Sequence, residues 1–146
     1  DLYGQSKHQG EVADAHSVTL RTSVNGHELG TNLALLDWFL SQRGQAISGF
    51  TKAIYSGFTT LEMARIVDRI LTQHPALSGV WHVASEPISK FALLQLCREK
   101  LGWEGVIEPN DEFVCDRSLN ADRFNQATGY TPPSWEAMIS ELAQQS

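Results

Sequence analysis

Tyr3 and Lys7 stand four residues apart in "YGQSKHQGEV". On a helix that spacing puts both side chains on one face, with β-carbons roughly 5–6 Å apart. An ammonium beside a phenol stabilises the phenolate and lowers a pKa that starts near ~10. A phenol tuned in this way exchanges a proton near neutral pH, which suits oxidation and reduction at a carbinol or ketone. The same ammonium can hydrogen-bond a ribose hydroxyl. Gly4, Ser6 and Gly10 are small neighbours that let a cofactor or a second helix approach, and the stretch has almost no hydrophobic stripe. The spacing alone is weak, since chance pairs on solvated helices outnumber such sites by roughly ten to one.

Composition narrows the classes that this chemistry can belong to. The 146 residues suit one domain with a real core, and 42% apolar with 19% charged residues is ordinary for a soluble globular protein. A formal charge of −6 argues against nucleic acid as the main partner, because phosphate backbones need a basic surface. The longest apolar run, "LALLDWFL", is broken by Asp37 and far too short to span a bilayer, so no membrane partner is expected. No leader pattern is present, and a cytoplasmic location is the expectation. Cys97 and Cys115 form no C-x-x-C pair, and Cys97 lies in an apolar helical run, so it reads as a reduced core residue. His8, His16, His27, His74 and His82 show no metal-ligand spacing, which predicts no metal.

Elements that position such a site alternate along the chain. Residues 2–15 read as a helix of poor amphipathicity, and "SVTLRTSV" as a buried strand. "NGHELGTN" makes a loop in which His27 and Glu28 read as exposed polar surface more readily than as substrate contacts. "LALLDWFLSQRG" is a buried helix stopped by Gly44. "QAISGF" is a short strand. "FTTLEMARIVDRILTQHP" is the clearest helix, with Thr59 and Glu62 at capping-box spacing and a stripe of Met63, Ile66, Val67, Ile70 and Leu71. "GVWHVAS" is a strand, and "SKFALLQLCREKLG" a helix between Ser89 and Gly102. "GVIEPND", "NADRFNQATG" and "PPSWEAMISELAQ" follow as strand, short helix and closing helix. Trp38 and Trp81 read as core, Trp103 and Trp135 as caps of the core edges, and Tyr55 and Phe58 as packing more than pocket lining. Asp116 and Arg117 read as a surface pair that competes with any phosphate role for the arginine. Strands alternating with helices predict an α/β fold with parallel strands.

"YGQSKHQGE" resembles the active-site helix of the extended short-chain dehydrogenase/reductase superfamily. "VTLRTSVNG" resembles the strand and loop that follow it, and "SGVWHVAS" the later strand of that fold. "SLNADRFNQATGYTPPSWEAMISEL" is similar to the C-terminal segment of the dTDP-4-dehydrorhamnose reductase-like branch. The ordered series spans nearly the whole sequence and is far more specific than any one motif.

The resemblance implies NAD(P)-dependent reduction of a nucleotide-linked 4-keto-deoxysugar in polysaccharide or nucleotide-sugar biosynthesis. It implies Tyr3 as catalytic acid and Lys7 as its pKa-lowering, ribose-binding partner, with Thr22 and Ser23 at the nicotinamide and Asn25, Asn32 and Arg117 near the sugar-nucleotide. It further implies that residues 1–30 are the active-site helix, strand and loop of a Rossmann-like part, and 31–146 mostly a substrate-binding region with a returning Rossmann strand near 80–85. Val24 and Asn25 sit where the branch often has an aromatic after "RTS", which leaves the sugar open. The superfamily begins with a G-x-x-G-x-x-G loop, whose amides approach a pyrophosphate at a helix N-terminus. "NGHELG" has a different spacing, so the expectation is a C-terminal segment of a longer enzyme, inactive alone, with NAD or NADP bound in the full-length parent. An interrupted sheet would expose a strand edge that invites self-association, a homodimer among the forms. Alternative expectations are an epimerase or dehydratase of the same superfamily, or a non-catalytic dinucleotide-sensing or scaffold relative.

Overall fold

The computed structural model describes residues 17–22, 41–42 and 44–144. The expected N-terminal helix, the "NGHELGTN" loop, Trp38 and nearly all of the "LALLDWFLSQRG" helix lie outside the described residues. Gly44 takes φ +81°, the left-handed conformation in which a glycine ends a helix at little steric cost.

Two parallel strand pairs organise the described residues. Strand β1 (Val18–Thr22) and strand β2 (Ala46–Tyr55) are followed by helix α1 (Thr60–Gln73), strand β3 (Gly79–Val83) and strand β4 (Ile88–Ser89). Helix α2 (Lys90–Leu101), strand β5 (Val106–Asp116), helix α3 (Asp122–Thr128) and helix α4 (Trp135–Gln144) complete the order. β1 pairs with β3 in parallel, from Val18 opposite Gly79 to Thr22 opposite Val83. A separate sheet runs β4-β2-β5, with β2 parallel to β5 and antiparallel to β4. This is the α/β architecture with parallel strands that the alternation predicts.

Capping chemistry sets the helix starts. The Thr59 side chain accepts from the Glu62 amide at 3.3 Å, and the Ser89 side chain from the Ala92 amide at 3.0 Å. Each satisfies one of the amides that a first turn leaves unpaired. Gly102 (φ +65°) and Gly129 (φ +69°) end α2 and α3 where the sequence places them.

Three expectations change. β2 and β5 extend well past "QAISGF" and "GVIEPND", to 10 and 11 residues. β2 continues through "TKAIY" because a register shift between Phe50 and Lys52 restarts the pairing with β5. β5 runs through Pro109, which lacks an amide proton, because among the described residues β5 is an edge strand. On α1 the buried arc is Glu62, Ile66 and Ile70, at i, i+4 and i+8, so Val67 and Leu71 lie one position further round and are exposed. β1 is half-buried rather than fully buried.

The core divides into two clusters. One joins Ile47, Leu93, Leu94, Cys97, Trp103, Ile107, Trp135, Met138 and Ile139 beneath the β4-β2-β5 sheet. Trp103 and Trp135 are thus members of a core and not caps at its edge. Cys97 is a free, buried thiol there, as expected, and burial pushes its pKa up to about 12. Gly49 makes the close approach of α2 possible, since a β-carbon on it would lie 2.8 Å from the Phe91 ring and 3.0 Å from Ile107. The other cluster holds Ile66, Ile70, Trp81, Val83 and Phe124 against β1 and β3, and Phe58 packs on both.

Candidate functional site at the carboxyl ends of the strands

The carboxyl ends of β2, β3 and β5 meet at one polar seam. Two residues beyond β3, the Ser85 amide donates to the Ser56 carbonyl at 2.8 Å, and its hydroxyl donates to the Gly57 carbonyl at 2.5 Å. Ser56 directly follows β2, and its fully buried hydroxyl accepts from the Leu119 amide at 2.9 Å. Beyond β5, the Arg117 amide donates to the Ile54 carbonyl at 3.0 Å. The Trp135 indole of α4 closes the same seam by donating to the Glu86 carbonyl at 2.8 Å. In open α/β sheets, ligands bind beyond the carboxyl ends of the strands.

Of the residues that the resemblance assigns to the site, Thr22 and Arg117 are among the described ones. Thr22 is the last residue of β1 among the described residues, two short of the end of the expected strand, and it pairs with Val83, two residues before Ser85. Arg117 is exposed at the seam's other side, and its Nε donates to Cys115 Sγ at 3.3 Å. Asp116 and Arg117 do not pair with each other. The Asp116 carboxylate instead accepts from the Ser118 amide at 2.9 Å and hydroxyl at 2.6 Å, which holds its pKa below the ordinary carboxylate value. Both ends of the turn are thereby fixed while the arginine stays at the surface. Tyr3, Lys7, Ser23, Asn25 and Asn32, like His27 and Glu28, lie outside the described residues.

The sequence contains three tyrosines, and two of them are held as neutral phenols. Tyr55 packs against Trp135, ring centroids 5.5 Å apart, and burial pushes its pKa up to about 12. The Tyr130 hydroxyl donates to Glu62 Oε1 at 2.7 Å; burial, and then that carboxylate, raise its pKa. Neither phenol is prepared to give up a proton near neutrality. Packing explains Tyr55 and Phe58, as expected.

Sequence reasoning missed the seam serines and the network around Glu62. Arg65 bridges Glu62 at 3.1 Å and Glu141 at 2.7 Å, so α1, α4 and the turn carrying Tyr130 are tied together. Thr59 and Glu62 were legible as a cap. The use of Glu62 as the acceptor for Tyr130 was not, because it depends on a contact 68 residues away. Among the described residues no group of three metal-ligating side chains gathers, and no helix is long and apolar enough to cross a membrane.

The fold places the chain beside a class of enzymes. It has a structural match to dTDP-4-dehydrorhamnose reductase-like extended short-chain dehydrogenase/reductase structures, which include sugar-nucleotide reductases and dehydratases. A hypothetical dTDP-4-dehydrorhamnose reductase from Sulfolobus tokodaii is similar at 25% identity and TM-score 0.70, over 94% of this chain and 53% of that one. The dTDP-4-dehydrorhamnose reductase of Bacillus anthracis in complex with NADP matches at 16% identity and TM-score 0.68, over 100% and 55%. The dTDP-glucose 4,6-dehydratase of the same organism in complex with NAD matches at 13% and 0.60, over 87% and 43%. The chain thus spans about half the length of the solved structures it matches. The sequence matches no family model and no curated protein.

Proposed function

We propose that this chain is the substrate-side half of an NAD(P)-dependent reductase acting on a nucleotide-linked 4-keto-deoxysugar. The carrying observation is the match to the two reductase structures over 94% and 100% of the chain. In this reading residues 1–30 belong to the Rossmann-like part and 31–146 mostly to the substrate region, with β3 as the returning strand. The parallel β1-β3 pair supports that division, because parallel strands are normally covered on both faces and flanked by further strands.

The residues divide the work by chemistry. Tyr3 donates the proton to the carbonyl oxygen as hydride arrives at carbon, and Lys7 lowers its pKa and holds the ribose. Thr22 and Ser23 flank the nicotinamide, NAD or NADP. Asn25 and Asn32 face the sugar-nucleotide, and Arg117 offers its guanidinium to the diphosphate, a geometry guanidinium suits.

The similarity to a dTDP-glucose 4,6-dehydratase favours one second reading, a dehydratase of the same superfamily. Both need the Tyr3 phenol. In the full-length enzyme Tyr3→Phe should leave folding intact and cut kcat by about 10²–10⁴-fold, the usual worth of a positioned acid. Circular dichroism with turnover on dTDP-linked 4-keto sugars checks this, and undiminished kcat rejects the assignment. Release of water from a dTDP-hexose without net use of NAD(P)H would select the dehydratase.

A further inference from the structure

Arg117 is exposed, yet the backbone that carries it is fastened on both sides. Upstream, the Asp116 carboxylate accepts from the Ser118 amide and hydroxyl. The Arg117 amide itself is bonded to Ile54. Downstream, the Leu119 amide is bonded to the Ser56 hydroxyl, which has no solvent exposure. Ser56 also accepts the Ser85 amide through its carbonyl, so one residue fixes the end of β5 to the end of β3. A surface turn needs none of this for solubility. Such fastening matters when a side chain has to meet a ligand at a set position, because small misplacements are costly in binding and rate.

We propose that Ser56 and Asp116 are positioning residues that hold the Arg117 turn in register for the diphosphate of the nucleotide-linked substrate. Neither touches the ligand. The proposal rests on the functional reading above, and it predicts an effect on substrate affinity separate from chemistry and from cofactor binding.

The test uses the full-length enzyme with a dTDP-linked 4-keto sugar. Ser56→Ala removes the acceptor of the Leu119 amide and should raise KM for the sugar-nucleotide about tenfold, leaving kcat and the KM for NAD(P)H within about twofold. Amide exchange at Leu119 should quicken in the same variant. Asp116 is exposed, so its variants test the turn without disturbing a core. Asp116→Ala should raise the sugar-nucleotide KM by about threefold even though it removes a negative charge beside the arginine. Asp116→Asn keeps an acceptor for the Ser118 amide and should restore the wild-type KM or lower it. An unchanged sugar-nucleotide KM in both alanine variants overturns the proposal. So does a parallel loss of kcat and both KM values with a lowered Tm, which marks a general structural role. If Ser56→Ala does not fold, the Asp116 pair decides alone. Failure here with an inactive but folded Tyr3→Phe leaves the reductase reading standing; an active Tyr3→Phe removes that reading itself.

Discussion

The two cores differ in how their aromatic rings are linked. Beneath β4-β2-β5 lies the more aliphatic core, in which Leu93, Leu94, Met138 and Ile139 fill the space between helices α2 and α4 and the sheet, with Trp103 and Trp135 among them and Tyr55 against Trp135. Beside β1 and β3 a run of ring edges joins Ile66, Ile70 and Val83: Trp81 to Phe124 at 6.3 Å, Phe124 to Tyr130 at 6.1 Å and Tyr130 to Phe58 at 6.3 Å, with interplanar angles of 64–70°. Arg123 caps this run with its guanidinium 3.9 Å from the Trp81 ring centre. The aliphatic core is large and closed by neighbouring elements. The aromatic core hangs on Phe124, supplied by the seven-residue helix α3. Between them the seam of Ser56 and Ser85 is polar, and directional bonds fix geometry there that apolar packing leaves adjustable.

That contrast breaks most readily at Phe124. Phe124→Ala removes the ring that both Trp81 and Tyr130 meet and should cost about 3–5 kcal/mol. Leu94→Ala, equally buried in the aliphatic core, should cost about 2–5 kcal/mol. Urea unfolding followed by Trp fluorescence compares them. If the seam couples the cores, each variant shifts one common transition; two separated transitions in Phe124→Ala would show that the cores melt independently.

Gly49→Ala sharpens the comparison from the other direction, by overfilling. Its new methyl meets Phe91 and Ile107, so a loss of about 1–3 kcal/mol is expected in the aliphatic core. Phe91→Leu in the same background should recover only a part, because the nearest atom belongs to that ring while the Phe91 Cα at 2.9 Å remains. A stability unchanged by Gly49→Ala would mean that α2 moves off β2 without cost.

Periodicity and capping made most elements legible: Thr59, Ser89, Gly102 and Gly129 mark boundaries through local chemistry that the sequence displays directly. Strand lengths were harder, since Pro109 reads as a stop unless β5 is known to be an edge, and the register shift at Phe50 is a property of two strands together. Val67 and Leu71 joined the apparent stripe because their type is apolar, although their angle around α1 faces solvent. The seam was invisible for a related reason. Ser56 and Ser85 are ordinary loop residues in sequence, and only the convergence of three strand ends makes their hydroxyls structural. That Thr22 and Arg117 stand at strand ends was not legible, since the strand reading ran past Thr22 and stopped at Asp111, short of Arg117.

Alkaline titration tests the tyrosines with the least disturbance of the fold. Tyr55 belongs to the aliphatic side and Tyr130 to the aromatic one, and both fold with pKa values above the unfolded phenol near ~10. A raised acid pKa means that the fold favours the neutral form. Its stabilising contribution is therefore complete below about pH 10 and is lost as pH climbs through the folded value, about 12 for Tyr55. Stability should be flat in this respect from neutrality to about pH 10 and fall beyond it. In the full-length protein, the phenolate absorbance lost in Tyr55→Phe and in Tyr130→Phe should appear only as the fold opens, whereas the absorbance lost in Tyr3→Phe is expected below about pH 10 if Tyr3 is the proposed acid. Ionisation of Tyr55 or Tyr130 below about pH 10 with the fold intact would mean that the packing around these half-buried rings does not hold their phenols neutral.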